Sequence, residues 1–165
     1  MPVFIYSKDK TPSESDWDEV KKVFKLPVPL YLESFFNEYN GGLLSLKCDY
    51  FHVKDLYNDF IEEYGRDTGV YVNYFLSITE NYDISNTIND LREYHGMAKE
   101  YFPVSTDSGG NYVLISLKGK YEGMVFFWDH EINQAYLIAK SWSEFIEGLT
   151  RHPDTTDEEI AEEEE

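Results

Sequence analysis

The stretch YVLISLKGKYEGMVFFWDHEINQAYLIA, residues 112–139, decides the fold. Three runs rich in β-branched and aromatic residues, Tyr112 to Leu117, Gly123 to Asp129 and Gln134 to Ala139, read as strands. Only turn residues separate them, at Lys118-Gly119-Lys120 and around Glu131 to Asn133. A parallel pair needs a crossover of a dozen or more residues, so these strands form an antiparallel meander. A helix is predicted immediately after it. Ser141 and Glu144 have the spacing of a capping box, and Trp142, Phe145, Ile146 and Leu149 recur at i, i+3, i+4 and i+7.

Working upstream, helical patterns dominate. Thr11-Pro12-Ser13-Glu14 offers an N-cap, a proline at the first helical position and a glutamate able to reach back. Trp17, Val20 and Phe24 continue that helix until Lys25-Leu26-Pro27 ends it. Leu32, Phe35, Phe36 and Tyr39 make a second apolar face, stopped by the turn residues Asn40, Gly41 and Gly42. Leu43 to Lys47 and Tyr50 to Val53 read as short strands, followed by a helical stripe of Tyr57, Phe60, Ile61 and Tyr64 closed by Gly65. Period two from Val70 to Ile78 predicts one strand. Asp83 or Ser85 is expected to cap a helix with Ile84, Ile88, Leu91, Tyr94 and Ala98 on its apolar side, ending before Pro103. Helices early and strands late make this an α+β chain, with a mainly antiparallel twisted sheet and helices packed around it.

Composition narrows the function. In 165 residues there are 32 acids and 14 bases, a formal charge of −18. That argues against a sequence-independent grip on nucleic acid or on an anionic membrane. The last twelve residues hold eight acids and no base, which leaves −10 on the rest. We therefore expect one domain over 1–153 and a self-repelling, disordered acidic tail over 154–165. The length buries about 70% of the unfolded chain's surface, so no disulfide or metal staple is needed. A lone Cys48, no run of roughly 18 apolar residues and no signal-like start point to a soluble cytoplasmic protein.

The candidate chemistry is sparse. Asp107-Ser108-Gly109-Gly110-Asn111 resembles a phosphate loop only superficially: it leads into a strand rather than a helix, and no lysine follows the glycines. Gly109 and Gly110 read as a turn. Asp129-His130-Glu131 puts three ligand types in a row, but neighbours on a strand end point to opposite sides and no second histidine follows, so no metal or other cofactor is expected. Cys48 and His52 lack a third orienting group. With no catalytic signature, no enzyme is expected. Among 14 tyrosines, Tyr71, Tyr112 and Tyr136 are the candidate interface anchors, being strand residues with an apolar ring and a polar tip.

Taken in order, the pieces resemble the SUKH superfamily, which includes the yeast cell-wall glucan synthesis regulator and many bacterial immunity proteins. Leu26-Pro27, Tyr31-Leu32 and Phe35-Phe36-Asn37-Glu38-Tyr39-Asn40-Gly41-Gly42 resemble its opening. Phe102-Pro103-Val104 with Asp107 and Gly109-Gly110-Asn111 resembles its second signature, although asparagine stands at 111 where many relatives carry an acid. Gly123 to Glu131 and Ser141-Trp142-Ser143-Glu144-Phe145-Ile146 resemble the next strand and the terminal helix. The resemblance spans about residues 12 to 150 and carries no shared enzymatic residues with it.

The resemblance implies a bacterial immunity protein that blocks a cognate protein toxin, with a basic nuclease domain as the favoured target for an acidic chain. Asp107, Asn111, Tyr112, Asp129, His130 and Glu131 are the expected partner-binding residues. The alternative is a regulatory interaction scaffold of the cell-wall synthesis type. An enzyme using carboxylates near Asp107, Asp129 and Glu131 ranks last.

Overall fold

The computed structural model describes residues 2–5, 8–79 and 84–165. Its larger sheet carries the expected meander. In chain order its strands are β3 (Tyr74–Phe75), β4 (Tyr101–Thr106), β5 (Tyr112–Ser116), β6 (Val125–Asp129) and β7 (Gln134–Ala139), and they lie side by side in that same order, all antiparallel. A smaller sheet has the order β2 (Gly69–Tyr71), β1 (Tyr50–His52), β8 (Leu149–Thr150), also antiparallel. With six helices among the described residues around these two sheets, the fold is α+β.

Period two explains how the large sheet is buried on both faces. Val113, Ile115, Val125 and Phe127 enter the main core, where they meet the helices. The alternating residues Leu114, Phe126 and Trp128 face the other way into a second cluster with Leu91 and Met97. Against the main face pack α1 (Glu14–Phe24), α2 (Leu30–Glu38), α3 (Asn58–Tyr64) and α5 (Trp142–Glu147), through Trp17, Val20, Phe24, Leu32, Phe36, Phe60 and Phe145 among others. Phe35 joins three elements, with ring centroids 5.0 Å from both Phe75 and Trp142. No described helix is long and apolar enough to cross a membrane.

The structure corrects several sequence expectations. The first helix is capped by Ser13, not Thr11: Ser13 Oγ accepts from Asp16 N at 3.1 Å and Asp16 Oδ2 accepts from Ser13 N at 2.8 Å, a complete box two residues later. Leu43 to Lys47 makes no strand, only isolated bridges from Leu43 to Tyr74 and from Leu44 to Phe4. The single strand expected over Val70 to Ile78 divides between the two sheets. Val70 and Val72 are buried with Tyr71 exposed between them, whereas Phe75, Leu76, Ser77 and Ile78 are all buried, because the chain leaves one sheet and joins the next between Tyr71 and Tyr74.

α4 (Ile84–Tyr94) stops before the expected Ala98, and the following Gly96 takes a positive φ of 68°. Ser85 lies inside this helix, and the alternative cap, Asp83, lies outside the described residues. Pro103, read as a helix terminator, sits inside β4, where the register shifts between Pro103 and Ser105. A proline fits a strand at such an irregularity, beyond the reach of the two-residue neighbour β3. Of the capping box expected at Ser141 and Glu144 only half forms: Ser141 Oγ accepts from Glu144 N at 3.0 Å, while the Glu144 carboxylate turns to Lys140 N and the Tyr57 hydroxyl.

The tail also differs from expectation. Residues expected to repel one another into disorder form α6 (Asp157–Glu163), capped by Thr156 and Glu159. Acids in the first turn favour a helix N-terminus, and Glu163 finds donors on the body of the protein.

Candidate functional site

Two turns of the large sheet lie together, and they hold the residues expected to meet a partner. In the β4–β5 turn, Asp107 Oδ1 accepts from Gly109 N at 2.8 Å and Asn111 N at 2.9 Å, and its Oδ2 accepts from Asn111 Nδ2 at 3.1 Å. Gly110 takes a φ of 87°, which glycine adopts without strain. Asn111 then reaches the β6–β7 turn: its Oδ1 accepts from His130 N at 3.1 Å and stands 2.7 Å from His130 Nδ1. An amide oxygen can only accept, so that ring nitrogen carries the proton.

Asp129 faces the other way. Its Oδ2 accepts from the Tyr64 hydroxyl of α3 at 2.5 Å, and its Oδ1 accepts from Glu131 N at 3.0 Å. Burial raises the Tyr64 phenol well above its usual range, and the Asp129 carboxylate raises it further. Tyr112 is half-buried, and burial, then Asp90 and Asp107, push its phenol up. Of the six expected partner-binding residues, Glu131 is the exposed one; Asp107, Asn111 and Asp129 are engaged in holding the turns. Asp129, His130 and Glu131 do not converge, and among the described residues no three His, Cys, Asp or Glu side chains group around a metal-sized point.

Beside these turns lies a feature that counting charges along the chain did not locate. Asp59, Glu62 and Glu63 of α3 face Gln134, Ala135 and Tyr136 of the edge strand β7 across a hollow of about 510 Å³. Among the described residues no ion pair reaches these three acids. The i, i+3 and i+4 spacing of Asp59, Glu62 and Glu63 was the available signal, since it puts all three on one helical face, away from the stripe of Phe60, Ile61 and Tyr64.

A second surface feature surrounds Tyr31. One hollow of about 700 Å³ is bounded by Leu26, Pro27, Pro29 and Leu117, another of about 610 Å³ by Trp142 and Ile146, and Tyr31, Glu122 and Gly123 border both. Leu26, Pro27, Tyr31, Trp142 and Ile146 belong to the opening and closing motifs of the chain.

The remaining candidates have structural roles. Asn40 is 1% exposed, donates through Nδ2 to Lys10 O at 2.9 Å and accepts from Ile78 N at 2.7 Å, so it ties three segments together beyond ending a helix. Gly41 and Gly42 both take positive φ, and a Cβ on Gly42 would fall 2.6 Å from the Phe4 ring. Cys48 is buried, which raises its thiol pKa and leaves it a poor nucleophile. Of the tyrosines, Tyr71 is 44% exposed and stacks at 10° on His152, whereas Tyr112 and Tyr136 are half-buried, the latter against Tyr64.

Comparison with known proteins agrees with this architecture. The chain is 29% identical to the SPbeta prophage-derived uncharacterized protein YokK of Bacillus subtilis (strain 168), over 47% of this chain. The matched part is 44% of that protein's length. The SMI1 / KNR4 family (SUKH-1) matches residues 11–148, from the loop before α1 to the end of α5, so it takes in both turns and the Tyr31 surface. The chain belongs to the SMI1 / KNR4 family (SUKH-1).

Proposed function

We propose that this chain is a non-enzymatic immunity protein that acts in the cytoplasm, binding and neutralising a cognate protein toxin through the acidic face of α3, β7 and the β6–β7 turn. The observation that carries the reading is the hollow between Asp59, Glu62, Glu63 and β7, with exposed Glu131 on the adjoining turn and no basic residue in its lining. A nuclease must be basic to hold phosphates, so a nuclease domain is the favoured target. Opposed fields steer such partners together at up to roughly 10⁸–10⁹ M⁻¹s⁻¹. Within the same reading, the acidic face occupies the groove that nucleic acid would otherwise enter. A relative named for a prophage fits genes that move between competing strains. A non-enzymatic role is supported by Asp107, whose carboxylate is committed to its own turn, and by Asp129, whose carboxylate is shared between its turn and Tyr64.

The test is coexpression with the variable C-terminal domain of a large toxin encoded next to this gene. Growth rescue and copurification are expected from the wild-type chain. Rescue should be lost when Asp59, Glu62 and Glu63 are all changed to lysine. If the wild type neither rescues nor copurifies, immunity is wrong for that pair; if the lysine variant rescues equally, the acidic face is wrong.

The second reading, a regulatory interaction scaffold, is favoured by the two hollows flanking Tyr31, whose borders are mainly apolar. Tyr31→Ala abolishing partner capture while the lysine variant retains it would select that reading.

A further inference from the structure

The turn Ser45 to Lys47 holds a carboxylate that belongs to the chain's own C-terminal helix. Ser45 Oγ donates to Glu163 Oε2 at 2.5 Å, and Leu46 N donates to Glu163 Oε1 at 2.8 Å. The Lys47 ammonium pairs with Glu164. Ser45 is 2% exposed, so this end of the contact is buried. At the foot of the same turn stands Asp49, 4% exposed, with no hydrogen-bond partner for its Oδ1. A buried carboxylate with one oxygen unpaired is costly when charged.

The groups around Asp49 come from four segments. Its electrostatic neighbours are Glu163 on α6, His152 on the segment after β8, Tyr71 on β2 and Cys48 on its own turn. Burial pushes the Asp49 carboxyl up to about 6; a backbone N–H and His152 oppose that, and the Glu163 charge adds to it.

We propose that α6 is a releasable arm, clamped on the Ser45 to Lys47 turn while Asp49 is neutral and let go when Asp49 ionises beside Glu163. Two carboxylates in one site cannot both ionise cheaply. Either Asp49 keeps its proton, or Glu163 leaves and admits water to Asp49. The remaining tethers are weak. α6 buries no residue fully, and its ion pairs, Lys47 with Glu164 and Arg151 with Asp157, are exposed ones that solvent screens. Linkage makes the effect reciprocal: docking that raises the Asp49 carboxyl must be weakened by the same factor when Asp49 ionises. This device is independent of the toxin reading.

The experiment uses the full chain, labelled for NMR, as wild type, Asp49→Asn and Glu163→Gln. The readout is the Leu46 amide's protection from hydrogen exchange, corrected for intrinsic rate, with the Val113 amide as internal control. In the wild type, Leu46 protection should fall about tenfold or more between roughly pH 5.5 and 7.5, the effect of one unit of coupling. In Asp49→Asn it should change less than about twofold. In Glu163→Gln it should be low throughout, with the Asp49 carboxyl titrating at lower pH than in the wild type. A flat wild-type profile, the same fall in Asp49→Asn, or a fall shared by Val113 would overturn the proposal. Should Asp49→Asn fail to fold, the carboxyl titration decides: an unchanged Asp49 midpoint in Glu163→Gln overturns it.

Discussion

Asn111 points its side-chain oxygen at His130, 3.1 Å from the backbone nitrogen and 2.7 Å from Nδ1, and so locks the β4–β5 turn to the β6–β7 turn. The lock has a second half in the 3.1 Å bond from Asn111 Nδ2 to Asp107. Replacing Asn111 by alanine removes all three contacts and strands the His130 N–H. A loss of about 1–3 kcal/mol is expected, read as a lower urea midpoint at unchanged m-value. No change in midpoint would mean that water replaces the amide.

Tyr64→Phe removes the donor to Asp129 and leaves a half-buried carboxylate short of one bond. The expected cost is about 1–3 kcal/mol at neutral pH. Because the Tyr64 phenol is raised in the folded state, its contribution is complete below the ordinary tyrosine pKa of about 10 and is lost as pH rises toward the folded value. The stability difference between wild type and variant should therefore shrink above about pH 10, which a series of melts at alkaline pH would show.

Asp49 gives a second pH dependence with the same sign. Below about pH 4 the group is neutral in both states; between about 4 and 6 the unfolded chain ionises first, so stability drains as pH rises. Asp49→Asn should match the wild type near pH 3.5 and exceed it by about 1–3 kcal/mol at pH 7. Equal stability of the two proteins at both pH values would show that the buried carboxylate is hydrated.

Gly69→Ala is expected to damage the small sheet severely. An added Cβ would lie 2.1 Å from the Phe51 carbonyl oxygen and 2.7 Å from the Tyr50 ring, and the backbone atom cannot swing aside. The loss should exceed about 3 kcal/mol, by the overpacking and strain that large single-residue effects require. Gly119→Ala, where nothing lies within 4 Å but φ is 85°, should lose only about 1 kcal/mol. Thermal melts of the pair separate steric clash from backbone strain.

Local patterns in the sequence carried the meander, α2, α3 and the family resemblance. β7 spans Gln134–Ala139 as expected, and β5 and β6 differ from the expected strands only at their ends, because alternation and a short turn are complete within a few residues. The candidate turns were legible for the same reason, as glycine pairs beside an aspartate. Their role was not: that Asp107 and Asp129 turn inward depends on Asn111 and Tyr64, the latter 65 residues from its partner. The acidic hollow was hidden because half of its wall, β7, lies on another element.

By itself, then, the sequence determined the α+β class, the antiparallel order of the last strands, the acidic surface and the membership that follows from its motifs, all of which rest on composition or short-range periodicity. Tertiary structure decided where Val70 to Ile78 changes sheets, which carboxylates face solvent, and that the acidic tail docks. Glu163 meets Ser45 across 118 residues, and helix periodicity and charge counts hold no record of a donor so far away. Such a contact depends on two surfaces brought together by the core, and it exists only once that core has formed.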